Sequence, residues 1–318
     1  MNIYDLVNEA EQRIRPYIYE TPLEHSPYLS QVIDGEVHLK LESQQRSGSF
    51  KYRGITNKLL SLDETVLEKG VITASTGNHA GAFSMILSQL KRKGIIFLPE
   101  NVSKAKVESL QHFDVELKFY GKDPIETELE AMRFAKENDL VYISPYNDPY
   151  ILAGQGTVGV ELGRQLEEIN TVIIPIGGGG LISGIAGYFQ GFNPKTEIAG
   201  CQPINSPVMY ESIRAGKIIE MESLDTLSDG TAGGIEPGSI TFDVCQDLVK
   251  DYILVSEEEI KQALKLIIEK HQMIVEGAAC LSIASLLKEK HKFQGKRVVL
   301  IICGRKISLE KLQSVICN

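Results

Sequence analysis

Residues 171–189 read TVIIPIGGGGLISGIAGYF, and this stretch decides the fold class. Its first six residues are almost all apolar and rich in β-branched side chains, which is typical of a parallel strand buried on both faces. Four consecutive glycines then form a turn, and small and apolar residues continue as a helix. A buried strand, a glycine turn and a helix make one β-α unit, and a series of such units forms a parallel sheet.

The same alternation recurs along the chain. Short β-rich runs end in Gly, Ser or Pro, and each leads into a segment with helical periodicity. This pattern predicts an α/β fold with mainly parallel sheets. The clearest strand predictions are Val37–Leu41, Val71–Ala74, Gly94–Leu98, Leu140–Ser144, Thr171–Ile176, Glu197–Cys201 and Arg297–Ile302. The helix predictions are Gly81–Lys91, Ser103–His112, Pro124–Asn138, Gln155–Leu166 and Ser256–His271.

The composition is that of an ordinary globular protein, with 43% of the 318 residues hydrophobic and 24% charged. This length can bury one core or two, so that one large domain and two lobes are both open. A net charge of -9 and a pI of about 5.3 argue against nucleic acid as the main partner. No run reaches the roughly 18 apolar residues of a membrane span, and the N-terminus has no apolar signal core.

The five cysteines form no CxxC pair and show no Cys/His spacing of a zinc site. A disulfide framework is not expected in a chain this long and this poor in cysteine. Reduced thiols in a reducing compartment are the plain interpretation, and we predict a cytoplasmic protein.

In parallel α/β sheets the chemistry collects where strands end and helices begin. The glycine turn, Gly177–Gly180, leaves consecutive N–H groups unobstructed in front of a helix, which suits a phosphate. A dinucleotide site would want G-x-G-x-x-G/A and an acid ending the next strand, but Ser183 takes the third glycine place and Glu197 opens its strand. A single phosphate therefore fits better than a pyrophosphate, and a tight turn without a ligand is the alternative.

Lys51 ends the motif SGSFK at 47–51 and opens the helix KYRGITNKLLSL. Most lysines are solvated surface residues, and a helix start favours negative rather than positive charge. An apolar setting beside Phe50 and the positive helix end would both lower the pKa of this amine toward the neutral form. Because a neutral lysine amine can form a Schiff base, Lys51 is a candidate catalytic residue.

Residues 75–79, STGNH, end the strand GVITA and start a further helix. Such residues are routine helix caps, but the exposed N–H groups and hydroxyls could instead receive a substrate carboxylate. Asn78 would then be a neutral partner for a phenolic or carbonyl oxygen. Cys303 follows a buried strand and could simply be an inert small residue of the core. Glu276 could likewise be an ordinary acid in the first turn of a helix.

Taken together and in this order, these motifs resemble the fold-type II pyridoxal-phosphate enzymes, in the branch of the threonine/serine dehydratases (ammonia-lyases) and serine racemases. The resemblance covers nearly the whole chain, and the ordered set is far more specific than a lone SxxFK or GGGG. The segments that carry it are TPLE at 21–24, LKLESQQRSGSFKYRG at 39–54, ASTGNHAGA at 74–82, LAGQGT at 152–157, GGGGLISG at 177–184, LSDGTAGGIEPGSITF at 227–242, VEGAA at 275–279 and LIICG at 300–304.

The resemblance implies a cofactor, an activity and a set of site residues. Lys51 would carry pyridoxal 5'-phosphate as a Schiff base, and the enzyme would convert L-threonine to 2-oxobutanoate and L-serine to pyruvate with release of ammonia. Cys303 would face the pyridine nitrogen, where a thiol makes the ring a weaker electron sink than an aspartate would and so favours β-elimination over transamination. The implied cofactor-binding residues are Lys51, Phe50, Asn78, Gly177, Gly178, Gly179, Gly180, Leu181, Glu276 and Cys303, and Ser75, Thr76 and His79 would line the substrate carboxylate site.

This sequence departs from the family pattern in three places. Thr76 stands where racemases of the branch have Ser and typical dehydratases have Ala, so that weak racemase activity stays an alternative. Gln202 and Val208 occupy positions that match the family's divalent-cation ligands, so that no metal is expected. The usual Gly-Gly-Asn after the pyridine contact reads GRK at 304–306, which alters the surroundings of the cofactor or an interface.

Four other functions stay open. A dehydratase for another 3-hydroxy amino acid (3-hydroxyaspartate or phenylserine), a serine racemase and a β-replacement enzyme of the cysteine synthase type are related alternatives. A non-catalytic nucleotide- or phosphate-binding protein is a different class, and the missing third glycine and the setting of Lys51 speak against it. The chain stops shortly after its last predicted strand, so that no appended regulatory domain is expected.

The resemblance also implies a two-lobed, tryptophan-synthase-β-like architecture. A small domain near residues 47–146 should carry SGSFK and STGNH, and a large pyridoxal-phosphate-binding domain should comprise residues 1–46 and 147–318. The active site should lie between the lobes, which should close on the small hydroxy-amino-acid substrate. A homodimer or higher homo-oligomer is expected by the same resemblance.

Overall fold

The computed structural model describes residues 2–122 and 124–317. Its strands are β1 (Leu23–His25), β2 (Glu36–Lys40), β3 (Val71–Ala74), β4 (Gly94–Leu98), β5 (Glu116–Phe119), β6 (Val141–Tyr142), β7 (Thr171–Pro175), β8 (Glu197–Pro203), β9 (Asp251–Val255) and β10 (Arg297–Ile301). Its helices are α1 (Ile3–Ile14), α2 (Pro27–Val32), α3 (Lys51–Leu60), α4 (Glu64–Lys69), α5 (Asn78–Leu90), α6 (Lys104–Gln111), α7 (Pro124–Glu137), α8 (Pro149–Gln165), α9 (Gly180–Phe192), α10 (Val208–Ala215), α11 (Ile240–Leu248), α12 (Glu257–His271), α13 (Gly277–Lys288) and α14 (Leu309–Ile316).

A six-stranded sheet has the order β1-β2-β10-β7-β8-β9. The pair β1–β2 is antiparallel and the other pairs are parallel. In the register of the central strand β10, Val299 pairs with His38 on one side and with Val172 on the other. Every residue of β7 is buried, which is the state that its almost entirely apolar sequence predicts.

A four-stranded sheet has the order β5-β4-β3-β6, and all of its pairs are parallel. Helices α3 and α5 pack on it through apolar side chains that share one buried core with Ile96 of β4. Tyr52 and Ile55 of α3 and Phe83 and Ile86 of α5 belong to this core. The helix that begins at Lys51 is therefore built into the core of the smaller sheet.

The predicted α/β class with mainly parallel sheets is confirmed, but some boundaries differ. The strand predicted at Leu140–Ser144 is shorter, because only Val141 and Tyr142 pair with β3. The helix predicted from Gln155 begins at Pro149, where Asp148 caps it: Oδ1 accepts the Tyr150 N–H at 2.8 Å and the Ile151 N–H at 3.1 Å.

Strands β1, β5 and β9 have no counterpart among the predicted strands. All three lie at the edges of the two sheets, and most of their residues are only partly buried or exposed. An edge strand lacks the continuous apolar run that reveals a central parallel strand, so that its sequence carries a weaker signal.

None of the helices within residues 2–122 and 124–317 is long and apolar enough to cross a membrane.

Candidate active site

The turn before α3 is held against the end of β10. Residues 48–50 run beside residues 303–305, where the Phe50 N–H donates to the Cys303 carbonyl oxygen at 3.1 Å and an isolated antiparallel bridge follows. Because α3 starts at the next residue, the backbone of Lys51 is fixed close to Cys303. The motifs SGSFK and LIICG, far apart in the chain, are thus brought together.

The amine of Lys51 is enclosed, although the residue keeps some exposed surface. Nζ donates to the Pro145 carbonyl oxygen at 2.8 Å and lies 5.2 Å from the centre of the Phe50 ring. Burial lowers the pKa of this amine from 10.5 to about 8, against the opposing effects of Cys303 and Glu276. The sequence predicts this direction from the apolar setting, and the lowered pKa increases the neutral fraction of the amine near neutral pH.

The glycine turn after β7 has no room for side chains. Gly179 has a φ of 88°, which glycine adopts at little cost. A Cβ on Gly178 would fall against the ring of Tyr146, and Thr241 Oγ1 donates to the Gly178 carbonyl oxygen at 2.6 Å. The turn is therefore held on two sides, and only Gly177 and Gly178 among its four glycines keep some exposed surface.

The same turn supplies free backbone donors. Because α9 begins at Gly180, the N–H groups of Gly180 and Leu181 lie in its first turn and have no carbonyl partner within the helix. Pro145 accepts the Lys51 amine, and the next residue, Tyr146, packs on the glycines. The segment Pro145–Tyr146 therefore contacts both the lysine amine and the glycine turn.

Asn78, the first residue of α5, contacts a residue far along the chain. Its Nδ2 donates to both carboxylate oxygens of Glu276, at 3.0 and 2.8 Å. Its Oδ1 is buried and has no hydrogen-bond partner among residues 2–122 and 124–317. The amide of Asn78 is therefore satisfied on its Nδ2 side only.

Glu276 is not the ordinary first-turn acid of the alternative interpretation. It is the N-cap residue of α13, but its side chain makes no cap hydrogen bond and is buried. Oε2 accepts the Lys306 N–H at 3.2 Å, and Oε1 lies 3.6 Å from Cys303 Sγ. Burial raises the pKa of this carboxyl, and the Asn78 hydrogen bond only partly offsets the effect.

Cys303 is buried at the end of β10, as its apolar strand predicts. Burial raises the pKa of the thiol well above 9.0, and the nearby Glu276 raises it further. The thiol therefore stays protonated and neutral, and its S–H is directed at Glu276. A neutral donor or acceptor, rather than a charged group, stands at this position.

Ser75 and Thr76 lie between β3 and α5. Ser75 Oγ accepts the Gly77 N–H at 3.3 Å, and Thr76 Oγ1 accepts from Lys106 Nζ at 3.4 Å. Both hydroxyls stand at the amino end of α5, where first-turn N–H groups favour an anion. Their part in binding a substrate carboxylate stays a prediction.

His79 is buried and neutral. Burial, together with the charge of Lys51, lowers the pKa of its ring to about 3. Nε2 lies 3.2 Å from the Ile143 carbonyl oxygen and 3.0 Å from Thr73 Oγ1, so that the proton resides on Nε2. Nδ1 is then an acceptor, which cannot bind a carboxylate, and only the backbone N–H of His79 suits the predicted carboxylate site.

Two residues that contact the site, Pro145 and Tyr146, are not among the predicted site residues, and they follow the end of strand β6. Pro145 and Tyr146, in the segment SPYN after β6, hold the lysine amine and cover the glycine turn. Since β6 is the parallel neighbour of β3, its carboxyl end lies beside the STGNH motif. The prediction of a strand at Leu140–Ser144 could have indicated these two residues, because they follow the end of one more parallel strand.

The residues present fit pyridoxal phosphate. An enclosed lysine amine with a lowered pKa suits an aldehyde, and a side-chain-free turn at a helix start suits a phosphate. The buried Oδ1 of Asn78, which has no partner in the described part of the chain, suits a group with a hydroxyl.

Gln202 and Val208, at the positions that match the family's cation ligands, make other contacts. Gln202 Nε2 donates to the Ile176 carbonyl oxygen at 3.3 Å, and its Oε1 accepts the Tyr210 N–H at 2.8 Å. Val208 is a buried apolar residue at the start of α10. Within the described ranges, there is no group of three or more His, Cys, Asp or Glu side chains that could hold a metal ion. That this protein binds no metal stays a prediction.

Comparison with known proteins gives consistent matches over the whole chain. A catabolic L-threonine dehydratase of Staphylococcus aureus (strain N315) is 39% identical over 314 residues, which are 98% of this chain and 90% of the relative. The processed form of threonine deaminase isoform 2 from Solanum lycopersicum superposes with a TM-score of 0.93 at 32% identity, covering 98% of this chain and 87% of that one. Maize serine racemase superposes with a TM-score of 0.92 at 32% identity, covering 99% and 96%.

The model of one protein family covers most of the sequence. It is described as pyridoxal-phosphate dependent enzyme and matches residues 14–304, a range that contains Lys51, the glycine turn and Cys303. This chain therefore belongs to the family of pyridoxal-phosphate dependent enzymes.

Proposed function

We propose that this protein is an ammonia-lyase for small 3-hydroxy amino acids, which converts L-threonine to 2-oxobutanoate and L-serine to pyruvate with release of ammonia. The observation that carries the proposal is the enclosed amine of Lys51, with a pKa of about 8, held by the segment Pro145–Tyr146 that also packs on the glycine turn. The name of the Staphylococcus aureus relative supports threonine as a substrate. The net reaction is balanced, because the water lost in elimination is regained when the nitrogen leaves as ammonia.

The chain has residues suited to hold each part of the cofactor. Lys51 would bind the aldehyde, the N–H groups of Gly177–Gly180 and Leu181 the phosphate, Asn78 the phenolic oxygen and Cys303 the ring nitrogen. When bound, pyridoxal phosphate supplies a conjugated ring that withdraws electrons from the α-carbon of an amino acid. Phe50 would pack beside the amine that it already approaches.

Lys51 has a second task after the substrate amine has taken its place. With a pKa of about 8, its neutral Nζ can take the α-proton of the substrate as a general base at neutral pH. The Pro145 carbonyl oxygen, at 2.8 Å, keeps the amine within reach of the site while it is free.

Cys303 limits the range of reactions. A thiol whose pKa is well above 9.0 stays neutral and cannot stabilise a positive charge as a carboxylate would. Weak electron withdrawal disfavours long-lived carbanions and leaves elimination, in which the β-hydroxyl departs with a proton as water.

A substrate panel tests the proposal. Purified protein is incubated with L-threonine, L-serine, 3-hydroxyaspartate and phenylserine, and both ammonia and the 2-oxo acid are measured. We expect equal amounts of both products from threonine and serine, and none from the Lys51→Ala variant. Lack of ammonia from all four compounds, or full activity in Lys51→Ala, would contradict the proposal.

The same panel separates related functions. A preference for 3-hydroxyaspartate or phenylserine would identify a dehydratase of another 3-hydroxy amino acid. Production of a thioether amino acid with an added thiol, and of no pyruvate without it, would identify a β-replacement enzyme of the cysteine synthase type.

Serine racemase activity is a second candidate function, favoured by one observation. Thr76 carries a hydroxyl that accepts from Lys106 Nζ, and a cation beside a hydroxyl helps it to exchange a proton. Chiral analysis of serine after incubation tests this candidate. We expect D-serine to be a minor product that is lost in Thr76→Ala.

The architecture and setting of the enzyme extend the proposal. We propose that residues 47–146 form a small domain and that residues 1–46 and 147–318 form the large one. The separate cores under the two sheets support this division, although Ile14, Ile18 and Ile151 join the core of the smaller sheet. We further propose closure of the lobes on substrate, a homodimer or higher homo-oligomer, and a cytoplasmic location, for which the five free cysteines are the support.

A further inference from the structure

Glu276 is 4% exposed, and the groups that contact its carboxylate are donors. Asn78 Nδ2 reaches both oxygens, the Lys306 N–H donates to Oε2, and the thiol of Cys303 faces Oε1. We infer that Glu276 is a positioning residue that holds the amide of Asn78 and the thiol of Cys303 in the orientations that the cofactor meets. This inference rests on the proposed function, which supplies the bound group.

The donors around Glu276 decide how Asn78 is oriented. A carboxylate accepts hydrogen bonds and, when ionised, donates none. Asn78 must therefore turn Nδ2 toward Glu276, so that Oδ1 faces the other way. Within residues 2–122 and 124–317 this buried Oδ1 has no partner, and an unpaired buried acceptor is unfavourable. A bound group that offers a hydroxyl, such as a phenol, is thereby favoured.

The carboxylate is confined from a second side. The Glu276 N–H donates to the Gly304 carbonyl oxygen at 3.2 Å. A Cβ on residue 304 would lie 2.5 Å from Oε1 and 2.9 Å from Oε2 of Glu276, so that only glycine leaves space for the acid. Backbone and side chain of Glu276 are thus both fixed at the end of β10, next to the thiol.

A glutamine at this position should turn the amide of Asn78 around. In the Glu276→Gln variant, the new side chain would have to place an NH2 group against one of the donors. Asn78 can relieve this clash by offering Oδ1, which turns Nδ2 toward the bound group. We expect the dissociation constant of pyridoxal phosphate to rise about 5-fold, the size of one lost hydrogen bond between neutral groups. We also expect the absorbance maximum of the bound cofactor to shift.

A double-mutant cycle distinguishes this role from general loosening. The full-length chain is freed of cofactor and titrated with pyridoxal phosphate, with the absorbance of the bound form as readout. In an Asn78→Ala background, Glu276→Gln should change the dissociation constant by about 2-fold or less, because its partner is already absent. An equal loss in both backgrounds, or an unchanged absorbance spectrum in Glu276→Gln, would overturn the inference.

A variant on the other side of the contact keeps the test independent of how Glu276 variants fold. Asn78→Asp places a second carboxylate against Glu276 and should bind the cofactor more weakly than Asn78→Ala. Equal or tighter binding would overturn the inference. Glu259→Gln, at a carboxylate that accepts from Ser256 in the cap of α12, is the control and should bind as the wild type does.

The inference and the proposed function fail in different ways. If wild-type protein forms no adduct with pyridoxal phosphate, the proposed function fails and the positioning role fails with it. If wild type binds the cofactor and the cycle shows no coupling between Glu276 and Asn78, the positioning role alone is overturned.

Discussion

Glu161 and Glu276 are both buried in this protein, but their surroundings are of opposite kinds. Arg53 donates to both oxygens of Glu161, at 2.8 and 2.9 Å, and Lys40 donates to one of them at 2.6 Å. Glu276 instead receives an amide, a backbone N–H and a thiol, none of which carries a charge.

The pKa values follow from this difference. Burial raises the pKa of a carboxyl in both places, but at Glu161 the charges of Arg53 and Lys40 outweigh it and lower the pKa. At Glu276 burial prevails and the pKa is raised. A carboxylate neutralised by cations ties elements together, here α3, β2 and α8, whereas an uncompensated one is typical of functional sites.

The largest expected effect is on stability, at Glu161. Glu161→Gln leaves Lys40 buried without its paired carboxylate and Arg53 with Glu42 alone, and the free energy of unfolding should fall by about 3–5 kcal/mol. Urea denaturation followed by circular dichroism measures it. Glu20→Gln, at a half-exposed partner of Arg164, is the matched control and should cost about 0–1 kcal/mol. A similar loss of unfolding free energy in both variants would contradict the stabilising role of the buried ion pairs of Glu161.

The next effect is a pair of opposite pH dependences in cofactor-free protein. Because the pKa of Glu161 is lowered, this carboxylate stabilises the fold fully at pH values above the ordinary carboxyl pKa of 4.5 and loses this effect as pH falls. The loss of unfolding free energy caused by Glu161→Gln should therefore be smaller in acid. The raised pKa of Glu276 gives a contribution to the free energy of unfolding that is complete below pH 4.5. This contribution is lost as pH rises from 4.5 through the raised pKa of the folded state. The stability of wild type relative to Glu276→Gln should therefore fall as pH rises. Parallel pH profiles for the two variants would contradict the comparison.

The smallest effect is on the amine itself. Only the neutral form of Lys51 reacts with an aldehyde, so that the rate of adduct formation with pyridoxal phosphate should rise with pH around 8. Glu276 raises the pKa of Lys51, and Glu276→Gln should move this rise to lower pH. Glu161 is not among the groups that shift the Lys51 pKa, and a stable-enough Glu161→Gln protein should keep the wild-type profile. A shift in Glu161→Gln alone would reverse the assignment of the two carboxylates.

Local sequence predicts the centre of the fold better than its edges. β3 and β4 have their predicted bounds, and the strand predicted at Thr171–Ile176 is one residue shorter, because continuous apolar runs identify buried parallel strands. β5, with the sequence ELKF, pairs on one side only and is partly exposed, so that its identity depends on its neighbour β4.

The site divides in the same way. Lys51, the glycine turn and STGNH are local motifs at strand ends, and each can be recognised from a few residues. The contact of Asn78 with Glu276 spans 198 positions, and that of Lys51 with Pro145 spans 94. No local pattern encodes such pairs, because the sheet order and the turn against β10 create them. The same holds for Glu161, which lies 108 positions from Arg53.

The most direct test reduces the cofactor-loaded protein with borohydride and locates the modified residue by peptide mass spectrometry. We expect one stable pyridoxyl adduct per chain, on Lys51, with loss of the yellow colour. An adduct on a different lysine, or a protein that binds pyridoxal phosphate without any reducible bond to Lys51, would contradict the assignment of this residue as the one that carries the cofactor.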